Sequence, residues 1–293
     1  MTDLAAGSLE PSIDALMREE ARKSPEEIRN AWIVNGLLAL IGGLFLAPLA
    51  WVALASVDAN ASWALSWPSF TVSHFHDVVR GDFLQALLNT FFLSIIATAV
   101  STVAGILGGY ALSRRYIPLS DELMVGILFL TGIPVAIMIV PIFQVYAQYD
   151  LLNLSATGVF LGVTSLPFAL WLIKTAVDGV PKELEEAALM ERANILQIIL
   201  RVTIPVALPG IFAATIYSFI NAWGAFLAPL VLISDQDEIT GPLKIYGLIG
   251  SAAVHYGDIA AFSIVYSVPV IVLYVLMSRP FSGGFSMGGA VKG

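Results

Sequence analysis

Charge is what this sequence has least of. Only 12% of its 293 residues are Asp, Glu, Lys or Arg, against about a quarter in soluble domains. With 58% hydrophobic residues and a mean hydropathy of +0.84, that scarcity excludes an ordinary soluble domain and indicates a chain that crosses a membrane repeatedly. Cysteine is absent, which excludes a disulfide framework and a thiolate metal site. A phosphate-cradling GxxxxGK(S/T) is also missing. Gly288 to Gly293 is glycine-rich but has the wrong spacing and no following helix. The chain is therefore not expected to hydrolyse ATP or to be an enzyme. A short basic leader is lacking too: residues 1–30 are polar and mixed in charge, and read as an amphipathic lead-in. Ser24-Pro25-Glu26-Glu27 has the pattern of a helix start. Ala59-Asn60-Ala61 looks like a cleavage site, but the apolar run before it is too long for a signal peptide.

What is present is apolar sequence in long runs. Six stand out: residues 31–57, 84–113, 123–149, 151–173, 202–234 and 259–278. Each meets the ~20 residues that cross a hydrocarbon core. The expected fold is an all-α, polytopic membrane bundle of six transmembrane helices. Asn153-Leu154-Ser155 extends the turn after Asp150, so the fourth helix is expected to begin near Ser155. A seventh run, residues 245–254, is too short to span and reads as an outer loop or a short surface helix. The chain then divides into the lead-in (1–30), a first span with its outer loop (31–83), a five-helix core (84–278) and a tail (279–293).

Of 14 Lys and Arg residues, 12 fall on the side of the N-terminus and only Arg80 and Lys244 on the other. That asymmetry places the N- and C-termini in the cytoplasm. It also places there a charged helical insert, Val180 to Pro205, between the fourth and fifth runs. Lys182, Glu183, Glu185, Glu186, Glu191, Arg192 and Arg201 cannot lie in hydrocarbon. Glu183, Glu185 and Glu186 complement the dipole of a helix opened by Pro181, and Asn194 with Gln197 marks a second helix start. Two short helices joined near Arg192 to Asn194, rigidly continuous with two spans, form a part that a soluble partner could push.

Smaller signals have plainer readings beside them. Gly105/Gly109 and Gly158/Gly162 are GxxxG pairs suited to close helix contact, or simply glycines of membrane helices. His74, His76 and Asp77 could ligate a metal, but read as solvated loop residues; no metal is expected. Trp51, Trp63 and Trp67 suit interfacial anchors, with sugar stacking as the alternative. Asn89, Gln144, Asn221 and Trp223 are mid-span polar groups that either line a solute path or satisfy hydrogen bonds between helices. The six runs contain no Asp, Glu or His, which argues against the alternative function, a stand-alone secondary transporter.

The insert resembles the coupling-helix motif of ATP-binding-cassette importer permeases: Glu-Ala-Ala, three residues, Gly, nine residues, then Ile-x-Leu-Pro. Here Glu186-Ala187-Ala188 precedes Val202-Thr203-Ile204-Pro205 at that spacing, with Arg192 in the glycine position. Leu88-Asn89-Thr90, Phe219…Trp223…Phe226-Leu227…Pro229-Leu230 and the terminal Gly289-Ala290-Val291-Lys292-Gly293 resemble the smaller permease of maltose-type, carbohydrate-class importers. Gly224 and Ala225 depart from the Asn and acidic residue usual there. The resemblance covers residues 30–293. It implies the type I permease fold and a bacterial plasma-membrane location. It further implies a heterodimer with a second permease, two ATPase subunits holding ATP and Mg, an extracytoplasmic solute-binding protein and a sugar-like substrate, with no nucleic acid. A coupling helix at about 181–204 would dock into an ATPase subunit through Glu185, Glu186, Ala187, Ala188, Arg192, Ile204 and Pro205. Lys292 and Gly293 would reach toward the ATPase pair.

Overall fold

A computed structural model describes residues 25–64, 67–250 and 254–284. Ser24, Lys292 and Gly293 lie outside the described residues. The chain divides into two units, Met1–Ala53 and Leu54–Gly293. The first contributes most of α1 (Pro25–Ala55), a helix without charge after its first five residues. The second holds α2 (Ser73–Val78), α3 (Asp82–Arg114), α4 (Ser120–Phe129), α5 (Val135–Gln148) and α6 (Leu154–Asp178). It continues with α7 (Lys182–Met190), α8 (Ile195–Ile198), a π turn (Ile199–Thr203), α9 (Ile204–Trp223), α10 (Leu227–Leu232), α11 (Gly241–Ile249) and α12 (Tyr256–Gly284). Among the described residues the nearest thing to a strand is one isolated bridge, Asp58 to Phe70.

Among the described residues five helices are long and apolar enough to span, and there are six if the bent pair α4–α5 is counted as one span. The expected unbroken third span is thus corrected. It bends by 86° at Ile133-Pro134. Pro134 forces the residue before it out of the helical region, and Ile133 sits at φ −78, ψ 115. The fifth run is corrected likewise. Helix α9 stops at Trp223, and α10 restarts after Gly224 to Phe226, because Pro229 has no N–H for the Ala225 carbonyl. The turn before α6 matches expectation: Asn153 caps the helix, its side chain accepting from the Ala156 N–H at 2.9 Å. The first half of the short seventh run falls in α11.

The core is the α3–α6–α9 bundle, and glycine sets its spacing. A Cβ on Gly162 would lie 2.7 Å from the Ala97 carbonyl oxygen, and one on Gly158 would lie 3.0 Å from Ile96. Gly105 and Gly109 face Ile173 and Lys174 of the same α6 partner. Both GxxxG pairs therefore serve the α3–α6 contact. Several hydroxyls in the seam bond back to their own helix, as Thr90 does to Ala86 (2.7 Å) and Ser94 to Thr90 (2.8 Å), while those of Thr98 and Ser218 are buried without a partner.

The end of the bundle opposite α7 is tied by polar contacts. Glu238 accepts from the Leu154 N–H at 2.6 Å, and the Thr90 hydroxyl accepts from the Gly241 N–H at 2.8 Å. His74 corrects the expectation of a solvated loop residue. It is partly buried, with Nδ1 2.6 Å from Asp258 and Nε2 3.2 Å from the Asp58 carbonyl. His76 and Asp77 are exposed, as expected. Trp63 and Trp67 are exposed in the loop before α2.

Candidate functional site

The segment Val180 to Pro205 folds as its local chemistry dictates. Asn194 and Gln197 form a reciprocal capping box, each side chain bonded to the other's backbone at 2.9 Å. Helix α7 ends in a Schellman motif: the Ala193 N–H reaches the Ala188 carbonyl (3.0 Å) and the Arg192 N–H reaches that of Leu189 (2.9 Å). That motif requires a left-handed residue at the position Arg192 occupies, and its φ is +62. Glycine enters this region freely, while an L-residue loses about 1 kcal/mol there. Arg192→Gly is therefore expected to raise stability by about 1 kcal/mol, read as a higher thermal midpoint of the solubilised protein. A lower midpoint would show that the Arg192 side chain makes a contact worth more than the strain.

Adjacent glutamates divide their faces. Glu186 is exposed, together with Glu183, Leu189 and Ile195. Met190 and Leu196 are 87% and 61% exposed. Ala187 and Pro205 are exposed as well, while Ala188 and Ile204 are half-buried. Apolar side chains interleaved with charge at the bundle's basic end suit contact with another protein. Glu185, one of the expected docking residues, differs from its neighbour Glu186. It is buried, because its carboxylate meets the Arg114 guanidinium at 3.0 Å and the Thr203 hydroxyl at 3.0 Å. Sequence reading counted Arg114 only as a positive end of a span, quoted Thr203 only as part of a motif and missed Tyr110. No spacing signal joins Glu185 to Arg114 or Tyr110, 71 and 75 positions away.

The mid-span polar residues separate into three situations. Asn89 is buried, donating to the carbonyls of Asp237 (2.7 Å) and Ile239 (3.0 Å), so it pins a loop rather than lining a path. Trp223 is 3% exposed and stacks between Phe219 and Tyr266, its Nε1 donating to the Tyr266 carbonyl at 3.2 Å. Its indole is satisfied inside the protein, in line with the second reading offered for it, a hydrogen bond between helices. Gln144 is exposed on α5 and does not line the cavity beside Asn221. Asn221 lines a cavity of about 460 Å³ inside the bend of α4–α5, with Thr131, Thr164, Ser165, Tyr217 and Phe226. Polar groups and two aromatic rings, those of Tyr217 and Phe226, around a mostly apolar hollow match what a small polar solute needs. Among the described residues there is no cluster that could hold a metal.

Residues 101–279 match a family described as binding-protein-dependent transport system inner membrane component. The chain is 30% identical over 233 residues to the inner membrane ABC transporter permease protein YcjP of Escherichia coli (strain K12), covering 76% of this chain and 81% of that one. It is also 30% identical over 269 residues to the trehalose transport system permease protein SugB of Mycobacterium tuberculosis (strain CDC 1551 / Oshkosh), covering 89% and 97%. The fold is similar to a chain in the crystal structure of a bacterial ABC transporter involved in the import of the acidic polysaccharide alginate. The TM-score is 0.76 at 21% identity, covering 88% of this chain and 98% of that one.

Proposed function

The chain belongs to the family of binding-protein-dependent transport system inner membrane components, and from that premise we propose how it works. It is a multi-pass permease subunit of an ATP-driven importer, a class that works with ATPase and solute-binding components. The chain is non-catalytic. It pairs with a second, related permease, and two ATPase subunits carry ATP and Mg on the cytoplasmic side, where both termini of this chain lie. An extracytoplasmic protein delivers a sugar or sugar-like solute, as the trehalose system's name suggests.

One observation carries this reading. The α7–α8 segment exposes Glu186, Met190 and Leu196 together, yet runs through the π turn directly into α9. Closure of the ATPase pair would push that segment and rock the bundle between inward-open and outward-open forms. The bundle is built for such motion as a unit, since close glycine contacts fix α3 to α6. Family membership leaves a stand-alone carrier without support. The test is purification from native membranes. The chain is expected to bring an ATPase with it, and a chain that runs alone would overturn the reading.

The cavity beside Asn221 is proposed to form part of the solute path. Asn221→Leu removes hydrogen-bonding capacity worth about 1.4 kcal/mol, or roughly tenfold. Uptake of a radiolabelled sugar that the cognate binding protein retains in a thermal-shift screen should show a KM raised by about that factor, with ATPase capture unchanged. Unaltered KM would remove Asn221 from the path.

A further inference from the structure

At the basic end of the bundle, one carboxylate ties α7 to the core. Glu185 Oε1 accepts from Arg114 Nε and from the Thr203 hydroxyl, each at 3.0 Å, and Oε2 accepts from the Tyr110 hydroxyl at 3.3 Å. Arg114 also donates to the Val180 carbonyl at 2.7 Å and to the Ser113 hydroxyl at 3.0 Å. Ser113 in turn donates to Asp178 at 2.5 Å. The Arg114 and Glu185 side chains are only 8% and 10% exposed. The network joins four elements: α3 through Tyr110, Ser113 and Arg114, the end of α6 through Asp178 and Val180, α7 through Glu185, and the π turn through Thr203.

Packing alone does not explain it. Helix α7 packs chiefly against α8 and the π turn, so its tie to α3 runs through these side chains. A buried ion pair adds little stability over an apolar pair of the same volume, because desolvation offsets the attraction. What it does impose is a single arrangement, since the charges are met only when the carboxylate sits among its donors. A displacement of α7 must carry Arg114 with it or leave two buried charges unmatched.

We infer that Glu185 and Arg114 are positioning residues, the joint through which displacement of the α7–α8 segment enters α3 and so the bundle. The inference rests on the reading that an ATPase subunit moves this segment. It adds a division of labour between neighbours: Glu186 faces the partner, and Glu185 transmits. Chain continuity from α8 into α9 is then insufficient to drive the bundle.

The absence of native cysteine gives a clean assay. Thr131→Cys, at the cavity lining, is labelled with a membrane-impermeant maleimide in the purified importer with and without ATP–Mg, using labelling of this chain as the readout. With Glu185 intact, ATP–Mg is expected to change the labelling rate by roughly tenfold, within the usual range for coupling between distant sites. With Glu185→Gln, the ATPase subunits still co-purify and hydrolyse ATP, but the labelling rate no longer responds to nucleotide. A merely structural pair would lower the thermal midpoint and leave the nucleotide response intact. An unchanged response in Glu185→Gln overturns the inference. Should that variant fail to accumulate, Arg114→Lys keeps the charge while giving up the fork that reaches both Glu185 and Val180, and its response must be reduced. An importer in which the unaltered chain captures no ATPase sinks the proposed function itself. A responsive Glu185→Gln importer sinks only the joint.

Discussion

Replacing Glu186 with Lys is expected to abolish solute uptake while the chain still inserts and accumulates. The side chain is exposed and lies one residue beyond the buried Glu185, on a different face of α7. It takes no part in the Arg114 network. Exposed substitutions away from such features usually stay within about 0.5 kcal/mol of the parent stability, so folding should not suffer. Docking should. A reversed charge at a protein interface, with its partner left unpaired, costs about 2–5 kcal/mol, mostly as faster dissociation. At about 3 kcal/mol the ATPase would be held more than 100-fold less tightly. Three measurements together decide it: the amount of chain in the membrane, the amount of co-purified ATPase, and uptake. Normal uptake with Lys at position 186 would remove the docking role from this face.

Gly162→Leu is expected to have the largest effect on the fold. The site faces the backbone of α3, where a Cβ alone would come within 2.7 Å of the Ala97 carbonyl oxygen and 2.8 Å of Val100. Backbone cannot rotate away as a side-chain end can, so the two helices must separate. Overpacking of this kind costs about 1–3 kcal/mol, and separating α3 from α6 also opens the contacts around Gly158, Gly105 and Gly109. A loss near 3 kcal/mol is expected, seen as a thermal midpoint lower by several degrees and poor accumulation. Gly126→Leu is the control, because nothing lies within 4 Å of a Cβ there. Equal midpoints for the two variants would show that glycine does not set the α3–α6 spacing.

Much of the fold was legible because its causes are local. The Asn194–Gln197 pair is a capping signal three residues long, and the capping box is there. Asn153 caps α6 within one residue of the expected start. The left-handed backbone at Arg192 was not read in advance: the motif spacing marked the position, and the structure put the turn there. Proline was less informative. Pro48, Pro141, Pro167 and Pro209 lie inside helices that continue through them, whereas the breaks fall near Pro134 and Pro229. Whether a proline bends or breaks a span depends on what else satisfies the freed carbonyl and on what packs beside it. The candidate site was half legible. The exposed half, around Glu186, is a charge pattern outside the apolar runs. The inner half, Glu185 with Arg114, Tyr110 and Thr203, is assembled from three places in the chain, and the cavity at Asn221 arises only when the α4–α5 bend meets α9.

The sequence by itself determined that the chain crosses a bilayer several times and where charge must leave it. Hydrocarbon penalises each polar group separately, so the pattern needs no knowledge of neighbours. Only the tertiary structure decided which glutamate of an adjacent pair turns inward, which tryptophan is structural, and which apolar run bends through 86°. Those outcomes belong to pairs of groups far apart in the chain, and a pair acquires an energy only when folding brings it together.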